Sequence, residues 1–411
     1  MSRALPVALS LLAGACAPPE YETGPEVFSA PTEHIGDSWL FSATRINRID
    51  LELDADAVEI LRSERGFSYP RNTVRSAATI DAEFIGDVGV RLRGGLGSFR
   101  AFDKKPKFEL DLNEYSGERF YGLESLSLNN MITDCSGMRE ALAYHAYHLL
   151  DVPSSRTGFA QLFINSQDYG LYLVLESQDD RWLRRNFLDG SGNLYDGKYV
   201  YSGYWPTMVD FAVGRDDWFD LEEGTDVGFT DITRISQAVE RADQQGYIDD
   251  DFATLVDWDR LASLLRVEQW LGDDDGLHEG PNNYRVYFEP GRPMVVHRWD
   301  TDGSFPVSVK EDSASAVSFD VSNWEQGDGS SLSRSCLADS ACRQRWSEQQ
   351  SAVAAALSDG RLLALGEQLH ALVEEGVLGD PRRYCGEDED TVSAEAILAY
   401  LAAGELAVGS D

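Results

Sequence analysis

The stretch VEQWLGDDDGLHEGPNNYRVYFEPGRPMVVHRWDTDGSF, Val267 to Phe305, decides how the chain is read. It predicts a helix end, an acidic loop, a strand over Tyr284–Phe288, a turn, and a second strand over Met294–His297 that runs into Trp-Asp-Thr-Asp-Gly. Tyr284, Val286 and Phe288 alternate with the period of a half-buried strand. Acids and amides gather at the strand ends: Asp273, Asp274, Asp275, Asn282, Asn283, Asp300 and Asp302. Carboxylate and amide oxygens are ligands for a hard cation such as Mg2+, so the strand ends form one candidate site.

Working outward, IDLEL (Ile49–Leu53) alternates like a strand and Ala55–Arg65 has a helical pattern. ATIDAEFIGDVGVRLRG (Ala78–Gly94) predicts two strands joined around Ile85-Gly86-Asp87. The second runs into RLRGGLGSFRAFDKKPKFELDLN, where Gly94, Gly95 and Gly97 precede Ser98 and a basic cluster. Glycines let a backbone approach an anion closely, and Lys104, Lys105 or Lys107 then contact phosphates; the bland alternative is a simple turn. The spacing matches neither a P-loop nor a dinucleotide fingerprint. Met138, Leu142, Ala146 and Leu149 share one helical face, with Glu140 near its start, and a hairpin is expected over Phe159–Ile164 and Leu171–Leu175 with its turn at Asn165–Gly170. Residues 196–250 read as an insertion with helix near Ile232–Ala242, and Asp259 is the expected cap of a helix through Leu271. Helical patterns then cover Cys342–Leu357, Arg361–Glu375 and Ser393–Ala402.

Lys and Arg number 35 against 71 Asp and Glu, a net charge of −36. That charge repels polyanions, so nucleic acid is excluded as the expected partner. The opening MSRALPVALSLLAGACAPPE resembles a bacterial lipoprotein export signal, in which the cysteine, here Cys16, is lipidated. The expectation is an exported protein held by a lipid anchor at the periplasmic or outer cell surface. Cys135, Cys336, Cys342 and Cys385 remain, an even number suited to an oxidising compartment. Cys336 and Cys342 are near enough to close a small loop, which would leave Cys135 with Cys385, but four cysteines allow three pairings.

Several of these stretches together resemble the CotH kinase family, the spore-coat-protein-H type of atypical protein kinase. RLRGG with KPKFELDLN, LNNMITDCSGMREALAYHAY, GLYLVLESQDDRWL, NLYDG, DDGLHEGPNNYRVY and HRWDTDGSF stand in the family's order. The resemblance implies an α+β, atypical protein-kinase-like fold with mixed and antiparallel sheets and a helical C-terminal part. It implies Mg2+-dependent transfer of the ATP γ-phosphate to serine or threonine of a protein substrate, a Ser-rich protein being one candidate. By position, Lys105 matches the nucleotide-contacting lysine, and Glu140, or else Glu176, its orienting carboxylate. Arg93, Gly94, Gly95 and Ser98 fall on the loop that faces the nucleotide. Asp275 matches the base, Asn283 and Asp300 the metal ligands, and Asp302 a second acidic ligand. Leu277 stands where the family has an aromatic, and Glu279 adds an acid to the loop. The domain expectation is a signal over 1–16, a tether over 17–43, a kinase-like domain over 44–335 and a helical region over 336–411. The alternatives are a surface lipoprotein that keeps the fold for adhesion, and a Ca2+-binding module built on DDDGLHE and WDTD.

Overall fold

Ile46–Glu52 (β1), Ala55–Ser63 (α1), Val74–Ile80 (β2), Glu83–Arg93 (β3), Lys107–Asp111 (β4), Ser125–Asn129 (β5), Arg139–Leu149 (α2), Thr157–Ile164 (β6) and Gln167–Glu176 (β7) build the first half of the fold. The computed structural model describes residues 36–66, 70–95, 97–117, 119–198, 200–201, 206–207, 209–273, 275–278, 281–310, 313–317 and 329–404. The seven strands close into a barrel in the order β1-β2-β3-β4-β5-β7-β6, antiparallel except for the β1–β6 pair. Its interior is filled by Ile49, Leu51, Val90, Phe108, Leu110, Leu162 and Val174, all buried. Each such side chain contributes roughly 1.5–3 kcal/mol by leaving water.

Two turns differ from the sequence expectation for one reason. The β2–β3 turn lies on Asp81 and Ala82 (φ 48° and 68°), and the β6–β7 turn on Asn165 and Ser166 (φ 50° and 62°). Positive φ at both central residues is the tight hairpin turn whose twist matches the strands. Gly86 and Gly170, read as turn residues, instead flank register shifts in which one strand carries an extra residue. Those are β-bulges, the other place where a strand uses glycine.

The second half holds Asp180–Asn186 (α3), Asn193–Gly197 (β8), the short pair Val200–Tyr201 (β9) and Pro206–Thr207 (β10), Phe219–Glu223 (β11), Thr230–Gln245 (α4), Asp250–Leu255 (α5) and Trp258–Leu271 (α6). Tyr284–Phe288 (β12), Val295–Arg298 (β13), Val307–Lys310 (β14), Ser313–Val317 (β15), Ser331–Ala338 (α7), Ser340–Leu357 (α8), Arg361–Leu378 (α9) and Glu387–Ala403 (α10) follow. The expected central hairpin is β12–β13, and it is completed into a four-stranded sheet, β11-β8-β12-β13. Residues 196–250 are therefore not only an insertion: they supply a strand of that sheet as well as α4. Asp257, not Asp259, caps α6, accepting from the Arg260 N–H at 3.1 Å. The α+β class and the helical C-terminal part agree with the sequence, whereas barrel closure was not anticipated. Disulfides join Cys135 to Cys385 and Cys336 to Cys342, which fits a protein made for an oxidising compartment. Cys16 and residues 17–35 of the expected tether lie outside the described residues, whereas residues 36–43 are packed on the barrel, with Asp37 buried against Arg156 and Arg181 and Leu40 in the core. Among the described residues no helix is long and apolar enough to cross a membrane.

Candidate active site

A cleft of about 710 Å3 opens between the barrel and the four-stranded sheet. Its barrel wall carries Arg71, Arg91, Arg93 and Lys107, together with Gly94, Gly95 and Ser98; the facing wall carries Asp196, Asp220, Asn282, Asn283 and Asp300. One side is cationic and the other rich in carboxylates and amides, a division suited to holding anionic phosphate against an acidic metal site.

The glycine loop is shaped from within. Gly94 has φ 93°, and a Cβ there would lie 3.1 Å from the Phe99 backbone, so the tight turn requires glycine. Arg71 Nη2 donates to the Gly94 carbonyl at 2.7 Å, and the Gly95 N–H donates to Ser98 Oγ at 3.2 Å. Arg93, at the end of β3, is paired with Glu109 across the sheet, and its guanidinium lies 5.5 Å from the ring centre of Trp299.

Lys107 opens β4, opposite Arg93. Its Nζ donates to Asp300 Oδ1 at 3.0 Å, Asp300 Oδ2 at 3.1 Å and Asp302 Oδ2 at 3.3 Å. Burial disfavours the ammonium, but Asp300, Asp302 and Glu140 outweigh it and hold Lys107 well above the ordinary lysine range. Glu140, in the first turn of α2, is buried and accepts from Asn129 Nδ2. Burial, and then the Asp300 charge, push its carboxyl well up; burial and Asp302 raise Asp300 as well. Lys107 thus contacts two carboxylates while the Glu140 carboxyl acts on it through space, an excess of acid that a divalent cation would neutralise.

Asp300 has φ 53° and Asn283 φ 49°. Asp and Asn are the side chains that best tolerate this left-handed backbone, and here it turns each chain sharply at a strand end. The Asp300 N–H donates to Tyr144 Oη at 3.1 Å, which ties α2 to the same loop. Asp275 accepts from Asn282 Nδ2 and Asn283 Nδ2, each at 2.8 Å. Burial raises its pKa against the opposing hydrogen bond from Asn282, a shift in the direction useful to a base working near neutral pH.

A buried charge network fixes the loop. Arg298 is 1% exposed; it pairs with Asp273 at 2.7 Å and Glu268 at 3.3 Å, both themselves at 0%. Its Nη1 donates to the carbonyls of Asn282 and Asn283 at 3.1 and 2.8 Å. Glu268 in turn accepts the Leu277 and His278 N–H groups at 2.9 and 3.0 Å. One guanidinium from β13 and one carboxylate from α6 therefore hold both ends of the segment that presents Asp275.

The structure brings together Arg93, Gly94, Gly95, Ser98, Glu140, Asp275, Asn283, Asp300 and Asp302. It does not bring Lys105, which lies beneath the barrel with Nζ 2.6 Å from the buried carboxylate of Asp380. The lysine at the cleft is Lys107, the first residue of β4, whose strand register decides the matter. Glu176 is likewise elsewhere, enclosed by Arg156 and Arg185 and held below its usual range by them despite its burial. Asp274 and Glu279 lie outside the described residues. Arg71, Glu268, Arg298 and Tyr144 escaped the sequence reading; for Arg298 the signal was a charged residue in an otherwise apolar strand, VVHR.

A search of curated proteins finds no match. A family model described as CotH kinase protein matches residues 90–400, which contain the glycine loop, Lys107, Glu140, Asp275, Asn283 and Asp300. More than half of the 411 residues are covered, and the chain belongs to the CotH kinase protein family.

Proposed function

We propose that this protein is a Mg2+-dependent protein kinase that transfers the ATP γ-phosphoryl group to a serine or threonine hydroxyl of a protein. The observation that carries the reading is the contact of Lys107, on the same wall as the glycine loop, with Asp300 and Asp302 from across the cleft. Hard oxygen donors with unbalanced negative charge fit Mg2+, with Asp300, Asp302 and the Asn283 amide oxygen as the residues that would hold it. When bound, the ion supplies neutralisation of phosphate charge. Lys107 and Arg93, with the N–H groups of the glycine loop, bind and orient the phosphates. Glu140 orients Lys107 from behind, the role a helical carboxylate has toward a sheet lysine in kinases. Asp275, positioned by two asparagine amides, accepts the proton of the attacking hydroxyl.

The test compares four purified variants for Mg-ATP affinity and labelled phosphate transfer. Asp300→Ala loses both; Lys107→Ala chiefly loses nucleotide affinity. Asp275→Asn keeps binding while transfer falls about 10²–10⁴-fold. Lys105→Ala leaves nucleotide affinity within about threefold, because Lys105 faces Asp380 rather than the cleft. A wild-type chain that neither binds Mg-ATP nor transfers phosphate to itself or to a Ser-rich protein rejects the reading in favour of adhesion; Ca2+ binding alone, abolished by Asp300→Ala, favours the metal module. We further propose lipid attachment through Cys16, tested by release of Cys16→Ala from the membrane fraction; retention equal to wild type refutes it.

A further inference from the structure

The turn between α9 and α10, residues 379–386, is bonded to the barrel from below at several independent points. Asp380, 5% exposed, lies at its centre. Its Oδ2 accepts from Lys105 Nζ at 2.6 Å and from the Leu171 N–H of β7 at 2.9 Å, while Oδ1 accepts the Arg382 N–H at 2.7 Å. The approach is so close that a Cβ on Gly170 would fall 2.1 Å from Asp380, and Gly170 also needs φ 94°. Arg382 Nη1 donates to the Asp103 and Lys104 carbonyls, each at 2.7 Å, and its guanidinium lies 3.7 Å from the Tyr169 ring centre. Cys385 then closes the disulfide to Cys135.

Both ends of this attachment lead into the cleft. Lys105 stands two residues before Lys107, and its carbonyl accepts from Asn130 Nδ2 at 2.6 Å, on the loop that carries Cys135. Cys135 stands five residues before Glu140. Just before Cys135, Asp134 takes the place of a side-chain cap for α2, accepting the N–H groups of Ser136, Gly137 and Arg139 at 3.0, 3.0 and 2.8 Å. Gly137 is pressed against α9, where a Cβ would meet Val377 at 2.8 Å.

The geometry points to residues 380–385 as a clamp that fixes the start of α2 against the start of β4, with Asp380 a positioning residue for Lys107 and Glu140. The inference rests on the kinase reading above. In kinases the placement of that helix sets whether the lysine and its carboxylate meet, and is commonly controlled by a separate segment or partner. Here the attachment is internal and covalent, so α2 is held in place without either.

The experiment uses the oxidised chain and two variants, Asp380→Asn and the double variant Cys135→Ser/Cys385→Ser. Asparagine keeps an acceptor for Leu171 N–H but removes the charge facing Lys105; the serine pair carries the test if Asp380→Asn does not fold. Hydrogen exchange is followed at amides 131–140 and, as internal reference, in α6, alongside kcat and nucleotide KM below the melting temperature. Exchange at 131–140 is expected to rise about tenfold or more with α6 unchanged. Because Lys107 binds the phosphates, kcat/KM for nucleotide is expected to fall about 10- to 100-fold, with nucleotide KM rising in the direction of Lys107→Ala. Unchanged exchange at 131–140 overturns the clamp, as does faster exchange with unaltered kcat/KM for nucleotide. A wild type without transfer rejects the kinase reading and the catalytic half of this inference with it, and the exchange comparison still decides whether the clamp holds α2.

Discussion

Replacing Arg298 by Met tests whether the Asp275 loop is held by charge. Arg298, Glu268 and Asp273 are essentially without solvent contact, so water screens their pairings little, while burial itself raises Glu268 to about 7 against the pull of Arg298. Methionine fills much of the same volume but removes two ion pairs and the donors to the Asn282 and Asn283 carbonyls. Breaking a buried pair from one side costs about 3–5 kcal/mol, because the partner charge is left buried and uncompensated. The expected loss in unfolding free energy is therefore about 3–5 kcal/mol, read from the urea midpoint at constant slope. Adding Asp273→Asn removes one stranded charge and should return part of that loss, so the double variant is less damaged than the two single losses summed. Transfer should fall in Arg298→Met even below its melting temperature, since the asparagines that orient Asp275 are no longer fixed. A loss under about 1 kcal/mol, or strict additivity in the cycle, would refute the assignment of Arg298 as the organiser of this loop.

Glu223, raised to about 7 by burial and by Asp180, Asp179 and Glu124, and Asp179, raised to about 6 mainly by burial, bind protons more tightly in the native state than in the unfolded one. Their contribution to stability therefore falls as pH rises from about 4 through 7. Relative to wild type, Glu223→Gln should gain melting temperature over that range, and a pH-independent difference contradicts the reasoning. Non-reducing peptide mapping should recover Cys135 with Cys385 and Cys336 with Cys342; loss of the first, which closes a loop across a sequence separation of 250, should cost about 2–5 kcal/mol. Gly170→Ala and Gly291→Ala both place alanine at a positive φ, but only at 170 would the Cβ fall 2.1 Å from Asp380, so Gly170→Ala should unfold about 1–3 kcal/mol more easily than Gly291→Ala, which has open space. Equal stability of the two alanine variants would contradict the close approach of Asp380.

Local pattern determined the strands β1, β6, β7 and β12, the helix α2 and the C-terminal helices, because alternation and helical spacing report burial of one face without reference to the partner. Composition placed Asp275, Asn283, Asp300 and the glycine loop in the candidate site for a similar reason: their oxygens and open backbone carry chemistry wherever they lie. What sequence left open was which neighbours meet. Lys105 and Lys107 differ by two residues, yet one pairs with Asp380 and the other with Asp300, partners 80 residues apart that only the folded chain brings to neighbouring lysines. The glycines at 86 and 170 satisfy a turn and a bulge equally well, and strand register across the hairpin decides between them. Arg298 and Glu268 are unremarkable charges until α6 and β13 are packed, when burial makes their pairing obligatory. The sequence determined which groups could act; the tertiary structure decided which of them share a low-dielectric space, since burial and distance, which set the strength of every charge interaction here, are properties of packing across long separations.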